Sequence, residues 1–112
     1  MRWPRQTAPH VYLALAGAAA EAAGLQLAES LRDAVPGLRI EANCGGGSFK
    51  SQLKRADRSG ASHAVILGDD EIERQLATVK PLREEAGQRQ VPLAGLATEL
   101  ARIVEARAGG QG

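Results

Sequence analysis

Three things are scarce in this sequence of 112 residues: aromatic side chains, cysteine and an excess of charge. Aromatic residues account for only 3%, so the core must be aliphatic, and few rings remain for stacking against nucleic-acid bases. Cys44 is the only cysteine, which excludes an internal disulfide and a metal cluster held by thiolates. The formal net charge of +1 excludes a histone-like polycation, so a polyanion would have to bind at a local cluster of cations.

Long apolar runs are absent as well. None approaches the ~20 residues that a helix needs to span a bilayer, and the opening MRWPRQTAPH lacks the apolar centre of a secretory signal. We therefore expect a cytoplasmic protein with no membrane partner. The hydrophobic fraction of 44% is sufficient for an ordinary core, and the length favours one domain. We assign residues 1–9 to a tail or linker, 10–107 to the domain and 108–112 to a flexible tail.

The order of apolar patterns predicts an α/β fold. Two near-continuous apolar runs, HVYLALAG and SHAVIL, suit strands that are buried on both faces. The predicted strands are 10–17, 38–43, 62–67, 75–82 and 89–93, and the predicted helices are 18–35, 48–59 and 92–106, with a short helical turn at 69–74. This order predicts a mixed sheet covered by helices, with the first three strands parallel through crossover connections.

The segment 43–61, NCGGGSFKSQLKRADRSGA, is the most informative part of the chain. Three consecutive glycines, Gly45–Gly47, leave no side chain between the backbone N–H groups and a ligand. Ser48 follows as a predicted N-cap, because its hydroxyl can accept a hydrogen bond from an orphaned helix N–H group. The spacing differs from that of a Walker loop and from G-x-G-x-x-G, so a nucleotide cofactor is disfavoured. Close approach of RNA to this backbone is favoured over a simple tight turn.

The helix that follows is predicted to carry a basic face. Lys50, Lys54 and Arg58 recur every fourth residue and therefore stack on one side. Phe49, Leu53 and Ala56 recur at i, i+4 and i+7, which predicts the buried side. Between Ser48 and Gly60, the cations Lys50, Lys54, Arg55 and Arg58 oppose the single anion Asp57, a local balance of +3. Such a surface, beginning at an electropositive helix N-terminus, favours polyanions.

The same segment resembles the C-terminal anticodon-binding domain of bacterial histidyl-tRNA synthetases. The motifs that carry the likeness are GGGSFKSQLKRADRSGA, the following SHAVILG and DDE, the downstream TVKPLR and the upstream HVYLALAG, together covering 9–104. The resemblance implies a five-stranded mixed sheet flanked by three helices. It also implies a tRNA-binding module that grips the anticodon stem-loop of tRNA-His.

The resemblance also implies what this chain does not do. The parent enzyme, a histidine–tRNA ligase, uses ATP and Mg in a separate catalytic domain whose motifs are missing from this sequence. We therefore expect no enzymatic activity and no cofactor for this chain, which we interpret as a C-terminal fragment. The parent is expected to be a homodimer and the isolated domain a monomer. The alternative is a free-standing α/β paralogue that acts as a small-ligand or protein-interaction module without tRNA binding.

The expected RNA-binding residues come from the basic segment and from the resemblance together. They are Gly45, Gly46, Gly47, Lys50, Lys54, Arg55, Arg58, Glu71, Lys80 and Arg83. For Glu71 the resemblance implies a carboxylate that accepts hydrogen bonds from base amino groups, and the alternative is a solvated turn. If strand 75–82 neighbours the third strand, Lys80 and Arg83 should lie on the side that carries Gly46 and Glu71.

Several of these residues have alternative, purely structural interpretations. Lys80 and Arg83 could each form a rim salt bridge with Glu84 or Glu85. Arg55 could pair with Ser51 or Ser59 on its own helix.

Catalytic or metal-binding interpretations are weak. The acidic cluster Asp69, Asp70, Glu71 and Glu73 contains no histidine, which disfavours a metal site. His10 and His63 stand singly in strand-like runs and are interpreted as core or edge residues. Ser48, His63 and Asp57 do not have the spacing of a nucleophile elbow, so a hydrolase triad is also disfavoured.

Overall fold

A computed structural model of the chain describes residues 9–42, 48–83 and 87–109. The strands are β1 (Val11–Ala16), β2 (Ile40–Ala42), β3 (His63–Gly68), β4 (Leu76–Pro81) and β5 (Arg89–Pro92). The helices are α1 (Ala18–Ala34), α2 (Phe49–Ser59), α3 (Asp69–Arg74) and α4 (Leu96–Gly109), and a 3₁₀ turn at Leu93–Gly95 precedes α4. Within these residues, no helix is long and apolar enough to cross a membrane.

The strands form one five-stranded mixed sheet in the order β2-β1-β3-β4-β5. β1 pairs in parallel with β2 and β3, whereas β4 is antiparallel to both β3 and β5. The predicted α/β fold, a five-stranded mixed sheet flanked by helices with its first three strands parallel, is confirmed. The short α3 adds a fourth helix to the three long ones.

The two faces of the sheet are covered unequally. On one face, the aliphatic side chains of the central strands pack against α1 and α4. This larger core contains Val11, Leu13, Leu15, Leu31, Val65, Leu67, Val79, Leu96 and Leu100. On the other face, α2 packs against a small cluster of Tyr12, Ala56, Ala61 and Ala64, with Leu53 and Leu82 partly buried beside it. The scarcity of aromatic residues is therefore met by an aliphatic core on the α1 and α4 side.

Element boundaries differ from the predictions where local geometry overrides the apolar pattern. β2 begins at Ile40, two residues after the predicted start at 38, and the predicted end at 43 lies outside the described residues. Gln75, predicted to begin β4, has φ 59° and ends α3 in the left-handed conformation. The final α-helix begins at Leu96 after the 3₁₀ turn and continues to Gly109, beyond the predicted end at Ala106.

Gly24 allows α1 to approach β1 closely. A Cβ atom built at this position would lie 2.5 Å from Cδ2 of Leu15, which is itself 1% exposed. The glycine therefore serves packing between the helix and the sheet, although glycine costs about 1 kcal/mol in a helix relative to alanine.

We expect Gly24→Ala to lower the free energy of unfolding by about 1 kcal/mol, because overpacking costs about 1–3 kcal/mol and exceeds the gain in helix propensity. Urea denaturation followed by circular dichroism measures the change. Gly95→Ala is the matched control, since a Cβ atom added at Gly95 would have no other atom within 4 Å. A Gly24→Ala variant as stable as the control would show that Leu15 yields without cost.

Candidate nucleic-acid interface

Both ends of α2 are capped as the sequence predicts. Ser48 is extended, and its Oγ accepts a hydrogen bond from the Ser51 N–H at 3.2 Å. At the other end, Gly60 adopts φ 86°, a left-handed conformation that suits glycine, and its N–H donates to the Asp57 carbonyl at 3.3 Å. The glycines Gly45–Gly47 lie outside the described residues, so the expected approach of RNA to their backbone remains a prediction.

The cationic residues of α2 are exposed. Lys50, Lys54, Arg55 and Arg58 all point to solvent along the helix. No described residue forms an ion pair or a side-chain hydrogen bond with Lys50, Lys54 or Arg58. These three side chains, which we call the basic stripe, therefore offer their charges to an external anion.

The buried face of α2 differs from the prediction. Gln52 and Ala56 are both 0% exposed and form its centre, whereas Phe49 and Leu53 are only half-buried. Of the three residues predicted to be buried, Ala56 therefore lies at the centre of the buried face, and Phe49 and Leu53 mark one flank of it. A polar residue at its centre was missed because the periodicity argument counts only apolar side chains.

Gln52 joins α2 to the backbone of β1. Its Oε1 accepts a hydrogen bond from the Leu15 N–H at 2.8 Å, and its Nε2 donates to the Leu15 carbonyl at 2.7 Å. Among the described residues, the pairing of β2 with β1 reaches Ala42, opposite Leu13. Leu15 lies two residues further along β1, and there the Gln52 carboxamide binds both its N–H group and its carbonyl. Buried backbone groups need such partners.

The C-terminal end of α2 is fastened by Arg83. Its Nη2 donates to the Asp57 carbonyl at 2.7 Å and lies 3.1 Å from Asp57 Oδ1, and its Nε donates to the Ala61 carbonyl at 3.1 Å. A cation at this end of the helix also interacts favourably with the helix dipole. The ion-pair partner of Arg83 among the described residues is therefore Asp57. The expected alternatives, Glu84 and Glu85, lie outside the described residues.

These contacts fix how α2 is rotated over the sheet. Asp57 meets Arg83, which follows β4, so the flank of α2 that carries Asp57 faces β4. Lys50 lies two turns before Asp57 and shares that flank. Arg55 lies on the opposite flank. The cations of α2 therefore point into solvent in different directions, and Lys50 is the one nearest to β4.

Lys80 lies on the sheet face that α2 covers. It is opposite Ala64 in the register of β3 and β4 and is half-buried. Because paired residues share a face, Lys80 and Ala64 point to the same side of the sheet as Tyr12, which pairs with Ala64 on β1. The positive charge of Lys80 thus belongs to the same face as the basic stripe.

Lys80 and Arg83 were expected on the side that carries Gly46 and Glu71 if β4 neighbours β3. β4 does neighbour β3, and Gly46 lies outside the described residues. Because β4 runs antiparallel to β3, Lys80 lies opposite Ala64 near the start of β3, whereas Glu71 follows its end at Gly68. The two positions are about 13 Å apart along the strand. The direction of a strand thus decides which end of the sheet its last residues reach.

Glu71 instead lies near the start of α2. Its Oε1 accepts a hydrogen bond from the Gly68 N–H at 2.8 Å and thereby caps α3. A Cβ atom placed on Gly68 would lie 3.6 Å from Cζ of Phe49, so the first turn of α2 packs close to this point. Glu71 and Lys50 therefore belong to one end of the interface, and Arg58 and Arg83 belong to the other.

Asp69 and Asp70, two further members of the acidic cluster, have structural partners. Asp69 Oδ1 accepts a hydrogen bond from the Ala20 N–H at 3.2 Å. Asp69 thereby caps α1 from a distant part of the chain, because the N-cap residue of α1 is Gly17, which has no side chain for this purpose. Asp70 forms an i,i+4 ion pair with Arg74 at 3.7 Å. Within the described ranges, no three potential metal ligands come together.

The two histidines hold backbone and loop geometry. His10 Nδ1 accepts a hydrogen bond from the Arg39 N–H at 3.0 Å, and the residue is 8% exposed. His63 Nδ1 lies 3.0 Å from Ser62 Oγ. Ser48 and Asp57 lie near opposite ends of α2, about 13 Å apart, so the structure does not assemble a triad from them.

Comparison with known proteins places this chain in a family. The family described as "Anticodon binding domain" matches residues 10–103. The chain therefore belongs to the anticodon-binding domain family. Among its relatives is the histidine–tRNA ligase of Halorhodospira halophila, 54% identical over 99 residues, a match that covers 88% of this chain and 23% of the relative. The resemblance to histidyl-tRNA synthetases is thus confirmed.

Solved structures give the same fold. The chain aligns with histidyl-tRNA synthetases of Nostoc sp. PCC 7120 (TM-score 0.75, 30% identity, 84% of this chain and 22% of that chain) and S. aureus (TM-score 0.75, 23% identity, 84% and 23%). The RNA-binding domain of threonyl-tRNA synthetase from Cryptosporidium parvum Iowa II has a TM-score of 0.75 at 8% identity, covering 85% of this chain and 23% of that chain, which shows the fold alone. The chain thus spans less than a quarter of the length of these proteins.

We expect Arg83→Ala to lower the free energy of unfolding by about 1–2 kcal/mol, because two backbone carbonyls lose a charged donor at a half-exposed site. Arg58→Ala removes the same charge from the basic stripe and should stay within about 0.5 kcal/mol of the parent. Urea denaturation compares the two variants. Equal losses would show that Arg83 does not fasten α2.

Proposed function

We propose that this chain is a tRNA-binding module that grips the anticodon stem-loop of tRNA-His, as the C-terminal part of a histidyl-tRNA synthetase. The observation that carries the proposal is the basic stripe of α2, whose three cations are exposed and unpaired among the described residues. Membership of the anticodon-binding domain family and the 54% identity to a histidine–tRNA ligase support the choice of RNA and of tRNA-His.

The basic stripe supplies affinity in this proposal. Lys50, Lys54 and Arg58 span nine residues of α2, about 12 Å along its axis. Phosphates of one strand of a duplex recur about every 3.4 Å along its axis, so the stripe is long enough to meet two or three of them. Such contacts position the RNA without reading its sequence.

Sequence recognition would come from the end of the interface that holds Glu71. One carboxylate oxygen of Glu71 is bound to the Gly68 N–H at 2.8 Å, which fixes the orientation of the group. The second oxygen can accept a hydrogen bond from a base amino group. Gly45–Gly47, which precede α2 in the sequence, would admit the RNA backbone. Lys80 would add a charge on the same sheet face.

Arg83 has a different place in the proposal from the one that the sequence favoured. Its guanidinium is held by Asp57 and Ala61, and its side chain is 48% exposed. It would hold the C-terminal end of α2 in place, and its outer N–H groups would contact RNA only where the strand passes that end. Arg55 lies on the flank away from β4 and would contact RNA at the margin.

We expect the chain to bind the tRNA-His anticodon stem-loop with a strong dependence on salt. About three to five phosphate contacts give a slope of log K against log salt of roughly −2 to −4, at ~0.7–0.9 per phosphate. Fluorescence titrations at several salt concentrations measure the slope. Replacing Lys50 and Lys54 together by alanine should reduce its magnitude by about 1.5.

Arg102→Ala is the matched control for this titration. Arg102 is an exposed cation on α4, which packs on the opposite face of the sheet. Its removal should leave the slope unchanged to within about 0.3. If the control lowers the slope as much as the α2 variant does, the binding is a general effect of net charge and the assigned surface is incorrect.

We also propose that the chain performs no aminoacylation by itself and needs neither ATP nor Mg. The carboxylates of Asp69, Asp70 and Glu71 are used for capping and ion pairing, which supports a structural role for the acidic cluster. We expect no ATP–pyrophosphate exchange with histidine above the background without protein. A histidine-dependent exchange that purified chain sustains, and that co-purifies with it through a second column, would overturn this part of the proposal.

A further inference from the structure

α2 is held on the sheet by few apolar contacts. The buried cluster at this contact consists mostly of small residues: Ala56 on the helix itself, with Ala61 and Ala64 beside Tyr12. Interlocking of large side chains, which fixes the register of most helices on sheets, is therefore weak at this contact. Alanines permit a helix to slide or rotate by small amounts, because they form shallow ridges and grooves.

A polar contact at the centre of this helix replaces that interlocking. Both polar groups of the Gln52 carboxamide bind the backbone of Leu15, at 2.8 and 2.7 Å, and Gln52 is 0% exposed. Two hydrogen bonds to one residue fix both the distance and the rotation of the side chain, since a carboxamide is planar. The contact is made to the sheet itself, and β1 is the central strand of its parallel part.

The position of Gln52 in α2 connects this contact to the basic stripe. Lys50 precedes it by two residues and Lys54 follows it by two, so both lysines lie within one turn of the fixed point. Side chains extend about 5–6 Å from the helix axis, so a rotation of 20–30° displaces them by roughly 2–3 Å. A displacement of this size exceeds the tolerance of an N–H···O hydrogen bond.

We propose that Gln52 is a positioning residue for RNA binding: its two hydrogen bonds to Leu15 set the rotation of α2 over β1 and thereby align Lys50 and Lys54 with successive phosphates. Gln52 is buried and touches no RNA. The inference rests on the proposed function, because it assumes that the basic stripe is the RNA-binding surface. It makes a neutral side chain responsible for the correct placement of the cations on that surface.

The test compares folded variants that differ in this contact alone. Gln52→Leu keeps the approximate size of the side chain and removes both hydrogen bonds, and Gln52→Met serves the same purpose if the leucine variant does not fold. Leu100→Ala is the matched control, since Leu100 is 0% exposed in the core on the other face of the sheet. All variants are assayed at a temperature at which circular dichroism shows each of them folded.

We expect the Gln52 variant to bind the anticodon stem-loop about tenfold more weakly at low salt, and its salt slope to fall by about one unit although no charge has been removed. The Leu100→Ala control should lose stability and keep both the affinity and the slope of the parent. In the Gln52 variant, the Leu15 amide should exchange its hydrogen faster than the amides of neighbouring β1 residues, which shows that the contact is broken.

The outcomes separate the two proposals. If the parent chain does not bind the stem-loop, the proposed function fails, and this inference fails with it. If the parent binds and a folded Gln52 variant keeps the affinity and slope of the parent, the proposed function stands and Gln52 is only a structural residue. If the control loses affinity as much as the Gln52 variant, the effect is a general loss of stability, and the positioning role is overturned.

Discussion

The rest of the interface depends on a requirement of the β1 backbone. Within the described residues, the pairing of β2 with β1 reaches Ala42, opposite Leu13, and β1 continues into the buried interior, where the N–H group and the carbonyl of Leu15 are both bound by Gln52. Buried backbone groups need partners. Gln52 supplies both, and it can do so only if α2 lies close to the sheet. The small residues Ala56 and Ala64 permit this close approach, and the cations of α2 are consequently turned to solvent.

The polar contacts near the two ends of α2 have different roles. Near the start of α2, Glu71 caps α3 and stands beside Phe49, so a carboxylate oriented by a backbone N–H lies close to the helix N-terminus. Near the end of α2, Arg83 donates hydrogen bonds to the carbonyls of Asp57 and Ala61. The first end combines a helix N-terminus with a hydrogen-bond acceptor, whereas the second combines cations with a structural anchor. In the proposed complex, bases are recognised at the first end, and the phosphates of the RNA are attracted along the length of α2 between the two ends.

The sequence predicted the parts of this structure that follow from local patterns. The strands β1 and β3, the cap at Ser48, the end of α2 at Gly60 and the exposure of Lys50 all follow from apolar runs, capping chemistry and helical spacing. Contacts between distant segments could not be predicted in this way. The cap that Asp69 gives to α1 joins residues 49 positions apart, and the Gln52 contact spans 37. The one available signal for the latter was a glutamine between Phe49 and Ala56 on an otherwise apolar face.

The antiparallel direction of β4 shows how one topological detail changes a functional interpretation. A residue at the end of a strand reaches opposite edges of the sheet depending on whether the strand is parallel or antiparallel, and the apolar pattern of β4 is the same in both cases. For Lys80 and Arg83 the antiparallel direction separates them from Glu71 by the length of β3. Their charges therefore extend the basic surface along α2 instead of concentrating it around Glu71. An extended surface suits an RNA backbone better than a single bound phosphate, because an RNA strand presents its charges in a row.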